Sequence, residues 1–67
     1  MHILVNGEPK EVAGEGVSVR ELLLRLGFNH DFLAVAVNRV CVPRGKHAEH
    51  SLREADEVEI LAPMAGG

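Results

Sequence analysis

Tryptophan and tyrosine are absent from this chain, and Phe28 and Phe32 are its two aromatic residues. Neither phenylalanine is interleaved with basic residues, which speaks against a base-stacking surface for single-stranded nucleic acid. A net charge of −3, from 7 Lys plus Arg against 10 Asp plus Glu, argues against a phosphate-backbone partner as well. The single cysteine, Cys41, cannot form an internal disulfide, which fits a reducing compartment. With no Cys-x-x-Cys pair, Cys41, His47 and His50 do not make a zinc set, and the two histidines read as solvated loop residues. No apolar run approaches the roughly 20 residues of a membrane span, and no signal-peptide pattern opens the chain. There is no plausible Ser/His/Asp or Cys/His set for nucleophilic catalysis, and no glycine-rich loop opening a helix beside a lysine. The expectation is a cytosolic protein with no metal, no membrane or nucleic-acid partner, and no catalytic residues of its own.

What remains is an ordinary globular composition in 67 residues, 46% hydrophobic and 25% charged. A chain this short makes one domain and buries only about 60% of its unfolded surface. His2-Ile3-Leu4-Val5 is a short β-rich run, and Asn6-Gly7 is a strong hairpin signal because both residues tolerate positive φ. Glu8 to Val12 is the returning strand, placed at a sheet edge by Pro9 and guarded there by Glu8, Lys10 and Glu11. Ser18-Val19-Arg20-Glu21 is a capping box. Val19, Leu22, Leu23 and Leu26 then recur on one helical face, and Gly27 is placed to cap the end, predicting about ten residues of helix.

Phe32 to Val37 reads as a strand with large Leu33, Val35 and Val37 on one side and small Ala34 and Ala36 on the other. Asn38-Arg39 turns it into Val40-Cys41-Val42, with Cys41 expected as an inert, packed thiol and Pro43 ending the strand. Residues 44 to 56 are polar and irregular, anchored by Leu52 and accommodating at most a single helical turn. Glu57 to Ala62 alternates strictly, as a last strand. A hairpin, one helix, a second hairpin and a final strand predict an α+β layer pair, a mixed sheet of four to five strands with the helix across one face. The first and last strands become parallel central neighbours. The expected core is Ile3, Val5, Val19, Leu22, Leu23, Leu26, Leu33, Val35, Val37, Val58 and Ile60. The same alternation sends Leu4 and Leu61 to the uncovered face near Ala34 and Ala36, a shallow apolar patch suited to docking a partner.

The division expected is a domain at residues 1–62 and a flexible tail at 63–67, Pro63-Met64-Ala65-Gly66-Gly67. Extended, those five residues reach about 17 Å at ~3.3–3.6 Å per residue. Gly66 and Gly67 lack the Cβ atoms that would obstruct a narrow channel.

The chain resembles the thiamine-pathway sulfur carriers of the ubiquitin-like β-grasp fold. The likeness covers nearly its whole length and rests on Val5-Asn6-Gly7-Glu8, Ser18-Val19-Arg20-Glu21-Leu22-Leu23, Val35-Ala36-Val37-Asn38, Val42-Pro43-Arg44, Leu52 through Ile60, and Gly66-Gly67. Members often carry glycine in the two turns where Arg39 and Ala55 stand here.

The resemblance implies a protein cosubstrate rather than an enzyme, monomeric when free and holding no cofactor stably. The Gly67 carboxylate would be adenylated with ATP by a ubiquitin-activating-like adenylyltransferase and converted to a thiocarboxylate by a persulfide sulfur donor. It would then deliver sulfur to thiazole synthase. Gly66, Ala65, Met64 and Pro63 would carry Gly67 into the partner's site, and Leu4, Ala34, Ala36 and Leu61 would dock. Other readings are the small sulfur-carrying subunit of molybdopterin synthase, which is usually longer, a β-grasp interaction domain with incidental glycines, and a modifier conjugated through Gly67.

Overall fold

Two asparagine turns set the layout. In a computed structural model describing residues 1–28 and 33–61, His2–Val5 forms β1, and Asn6 and Gly7 take φ of 50° and 83°. Paired positive φ is the signature of a type I′ turn, whose twist matches that of the strands it joins. The chain returns as β2 (Glu8–Glu11), exposed along its length. The second hairpin repeats the device. Asn38 and Arg39 sit at φ 51° and 69° between β3 (Ala34–Val37) and β4 (Val40–Val42). The last strand, β5 (Glu57–Leu61), completes a mixed sheet in the order β2-β1-β5-β3-β4. β1 and β5 run parallel, with Leu4 opposite Glu57 and Val5 opposite Val58, and the other pairings are antiparallel. β5 is therefore the central strand and β2 an edge, as the pattern predicts. Phe32 and Ala62, expected at strand ends, lie outside the described residues.

Between the hairpins lies α1 (Val19–Arg25), seven residues instead of about ten. Its first three amides are all satisfied. The carbonyl of His50 accepts from Val19 N, that of His47 from Arg20 N, and the Ser18 hydroxyl from Glu21 N at 3.1 Å. Glu21 itself turns to Arg25, with Oε1 3.4 Å from Nε. The helix stops where Gly27 takes φ 85°: Phe28 N donates to Leu23 O and Gly27 N to Leu24 O, the paired bonds of a Schellman cap.

α1 covers one face of the sheet. Val19, Leu22 and Leu23 pack with Ile3, Val5, Leu33, Val35, Val37, Val58 and Ile60, each side chain contributing on the order of 1.5–3 kcal/mol through burial. Leu26, expected in the core, is only partly buried because the helix ends there. Val12, Val17, Val42 and the anchor Leu52 join the core from the loops and β4.

Two further expectations are corrected. Cys41 is exposed, because its register opposite Ala36 puts it on the uncovered face. His47 is buried rather than solvated: a 3-10 turn at Arg44–Lys46 folds it inward, its Nε2 3.1 Å from the Val42 carbonyl oxygen. His50 is half-buried.

Candidate functional site at the exit of the central strand

The candidate site is the end of β5 together with the sheet face it shares. The tail residues Pro63, Met64, Ala65, Gly66 and Gly67 lie outside the described residues, so the described part of the site is its root. There the strand is held on both sides. Toward β3, Leu61 pairs with Ala34 and Glu59 with Ala36. Toward β1, the Asn6 side chain grips Ile60: Ile60 N donates to Asn6 Oδ1 at 2.7 Å, and Asn6 Nδ2 donates to Ile60 O at 3.2 Å.

The other end of β5 is gripped in the same manner. Glu57 N donates to Asn38 Oδ1 at 3.0 Å, Asn38 N donates to Glu57 O at 2.7 Å, and Asn38 Nδ2 reaches Asp56 Oδ1 at 2.9 Å. Sequence reasoning assigned both asparagines to turns and missed this second use. The available signal was asparagine at the first turn position of both hairpins, where it supplies positive φ and an amide together.

The register arranges the residues of the open face that were expected to dock. Leu61 is exposed, with Ala34 opposite and Ala36 one row along, next to Cys41. Leu4 shares that face but does not join the group. It lies opposite Glu57, four residues from Leu61 and therefore about 13 Å away at ~3.3 Å per residue, with Glu59 between. Leu4 instead lines a shallow groove with Asn6, Gly7, Arg39, Glu57 and Glu59. The face is thus a small apolar end beside the root of the tail and an acidic middle.

Among the described residues no cluster of histidine, cysteine or carboxylate side chains could hold a metal. Among those residues, no helix is long and apolar enough to cross a membrane.

Residues 3–67 match the model of the ThiS family. The chain belongs to that family. It is 34% identical to the sulfur carrier protein ThiS of Escherichia coli (strain K12) over 67 residues, covering the whole of both chains. It is also 37% identical over 67 residues to a thiazole synthase of Magnetococcus marinus, of which it spans 20%. Among solved structures, the crystal structure of thiamine biosynthesis protein ThiS from Geobacter metallireducens superposes with a TM-score of 0.83 at 32% identity, over all of both chains. The fold is the ubiquitin-like β-grasp.

The left-handed φ of Arg39 and Ala55, 69° and 71°, falls at the two turns where members of this family often carry glycine. Neither position borders the exit of β5.

Proposed function

We propose that this chain is a sulfur carrier of thiamine biosynthesis, a protein cosubstrate whose reacting group is the Gly67 carboxylate. A carboxylate is a poor acyl donor because oxide is a poor leaving group. Adenylation with ATP releases pyrophosphate and installs AMP as a good one. Sulfur from a persulfide then displaces AMP, and cleavage of the remaining sulfur–sulfur bond by a thiol leaves a thiocarboxylate. The partner enzymes supply that chemistry in the cytosol, and this chain supplies reach and clearance. Its tail, Pro63 to Gly67, extends from a clamped central strand, and Gly66 adds no Cβ to the passage.

The observation that carries the reading is the 34% identity, over the whole of both chains, with a sulfur carrier protein ThiS, together with a family match that extends through residue 67. Thiazole synthase is the proposed sulfur acceptor. Support comes from the longer relative of that name, one fifth of which matches this chain. That match favours thiazole formation over molybdopterin synthesis.

Intact mass tests the reading. Incubated with an adenylating enzyme of the pathway, ATP and a persulfide donor, the protein gains the mass difference of one oxygen-to-sulfur exchange. No gain from an enzyme that charges its own carrier in parallel sinks the proposal, and isopeptide-linked products would indicate a modifier instead. Deleting Gly67 abolishes charging and leaves the unfolding transition unchanged.

A further inference from the structure

We propose that Asn6 is a positioning residue for sulfur transfer: its side-chain amide locks the exit of β5, and so sets the orientation from which the tail is presented. The proposal rests on the sulfur-carrier reading above. Along a central strand, backbone groups point alternately to the two neighbours. On β5 the groups of Asp56, Val58 and Ile60 point toward β1, and those of Glu57, Glu59 and Leu61 point toward β3. Leu4 N donates to Asp56 O and Asn6 N to Val58 O, both at 2.9 Å.

The next two rungs would engage Ile60, but the chain has already turned away at Asn6-Gly7. The Asn6 amide supplies both, its oxygen accepting from Ile60 N and its nitrogen donating to Ile60 O. The side chain thus extends the parallel pairing by one residue of β5, up to the residue before Leu61. It can do so because Asn6 sits at φ 50°, a conformation asparagine tolerates better than most residues.

Position gives this clamp its consequence. Ile60 is the residue before Leu61, the last of β5, so release of the clamp lets the end of the strand fray and shifts the root of the tail by about 3.3 Å, the rise of one residue. Displacements of that size are large against the tolerance of a reacting geometry. Asn38 provides the internal control. It makes the same kind of clamp at Glu57, the opposite end of β5, where release tilts nothing at the exit.

Asn6→Gly and Asn38→Gly each keep a residue that accepts positive φ and each delete one side-chain amide. For Asn6→Gly we expect amide-exchange protection at Ile60 to fall about tenfold, as for the loss of one to two net hydrogen bonds. Its kcat/KM for charging by the adenylating enzyme should fall about three- to tenfold while the Kd for the enzyme without ATP stays at the wild-type value. For Asn38→Gly we expect protection to fall at Glu57 with charging unchanged. Charging of Asn6→Gly at the wild-type rate overturns the positioning role, as does an equal loss in Asn38→Gly. Undiminished Ile60 protection in Asn6→Gly overturns the clamp itself. A wild-type protein that is not charged at all removes the carrier reading and the positioning role together, whereas the exchange data still judge the clamp.

Discussion

The two faces of the sheet are built from alternate residues of the same strands and obey opposite rules. On β5, Val58 and Ile60 face α1 and are 1% and 4% exposed, while Leu61, one residue further, is 70% exposed. The covered side is almost uniformly branched and aliphatic, as close packing against a helix requires. The open side mixes Glu57, Glu59, Ala34, Ala36, Cys41, Leu4 and Leu61, a composition that no packing constraint selects. Among the described residues one seven-residue helix covers one face of the five strands, and the other face stays open. The difference teaches that residues one position apart on the same strand answer to opposite packing constraints.

Ile60→Ala should break the covered face most severely. A buried isoleucine truncated to alanine loses about 2–5 kcal/mol, against a total of roughly 3–10 kcal/mol for a domain of this size. A urea titration checks it, and a loss below about 1 kcal/mol would mean that the site collapses around the gap. Leu61→Asp, next door, should change stability by less than about 0.5 kcal/mol yet weaken binding to the adenylating enzyme about tenfold, as loss of one apolar anchor does. Unchanged affinity by calorimetry removes the patch from the docking surface.

A third substitution sharpens the contrast by acting on neither face. Ala55 holds φ 71° in the turn feeding β5, with its amide donating to His2 O at 2.7 Å. Ala55→Gly relieves the left-handed strain and should raise stability by about 1 kcal/mol, read as a higher urea midpoint with charging unchanged. No gain would mean that the turn accommodates alanine without strain.

The smallest effect concerns Glu54, in the same turn before β5. The His2 backbone N–H donates to its Oε1 at 2.9 Å, and the His2 ring lies 3.2 Å from Oε2. The backbone bond first, then the ring, hold the Glu54 carboxyl below its ordinary value. Because the folded pKa is depressed, the contribution is present above the unfolded carboxylate range and is lost as pH falls through the folded pKa. An NMR titration should place Glu54 below a typical glutamate, and Glu54→Gln should abolish this small acid-side slope. A Glu54 that titrates as a free carboxyl would count against the bond to His2.

How much of this was legible in sequence depended on the range of the interaction. Ser18, Gly27, Asn6-Gly7 and the alternation of β5 could be read because each acts within a few residues through backbone sterics or local hydrogen bonds. The misreadings share a cause. Cys41 sits in an apolar alternation, but which side of β4 is covered depends on its register with β3. His47 looks like any polar loop residue until the 3-10 turn at Arg44–Lys46 buries it against Val42. Leu4 and Leu61 were correctly placed on one face, but their separation follows from the parallel register of β1 with β5, which no local pattern encodes.

By itself, then, the sequence determined the elements, the edge place of β2 and the central pairing of β1 with β5, because hydrophobic periodicity, caps and turns are local properties, and the resemblance of its motifs gave the family. It also supplied Gly66-Gly67 as the reacting end in the proposed function. Tertiary structure alone decided which residues meet across β5: Asn6 with Ile60, Asn38 with Glu57, Ala34 with Leu61. Those contacts join residues up to 54 positions apart, and only closing the sheet around its central strand brings them within hydrogen-bonding distance.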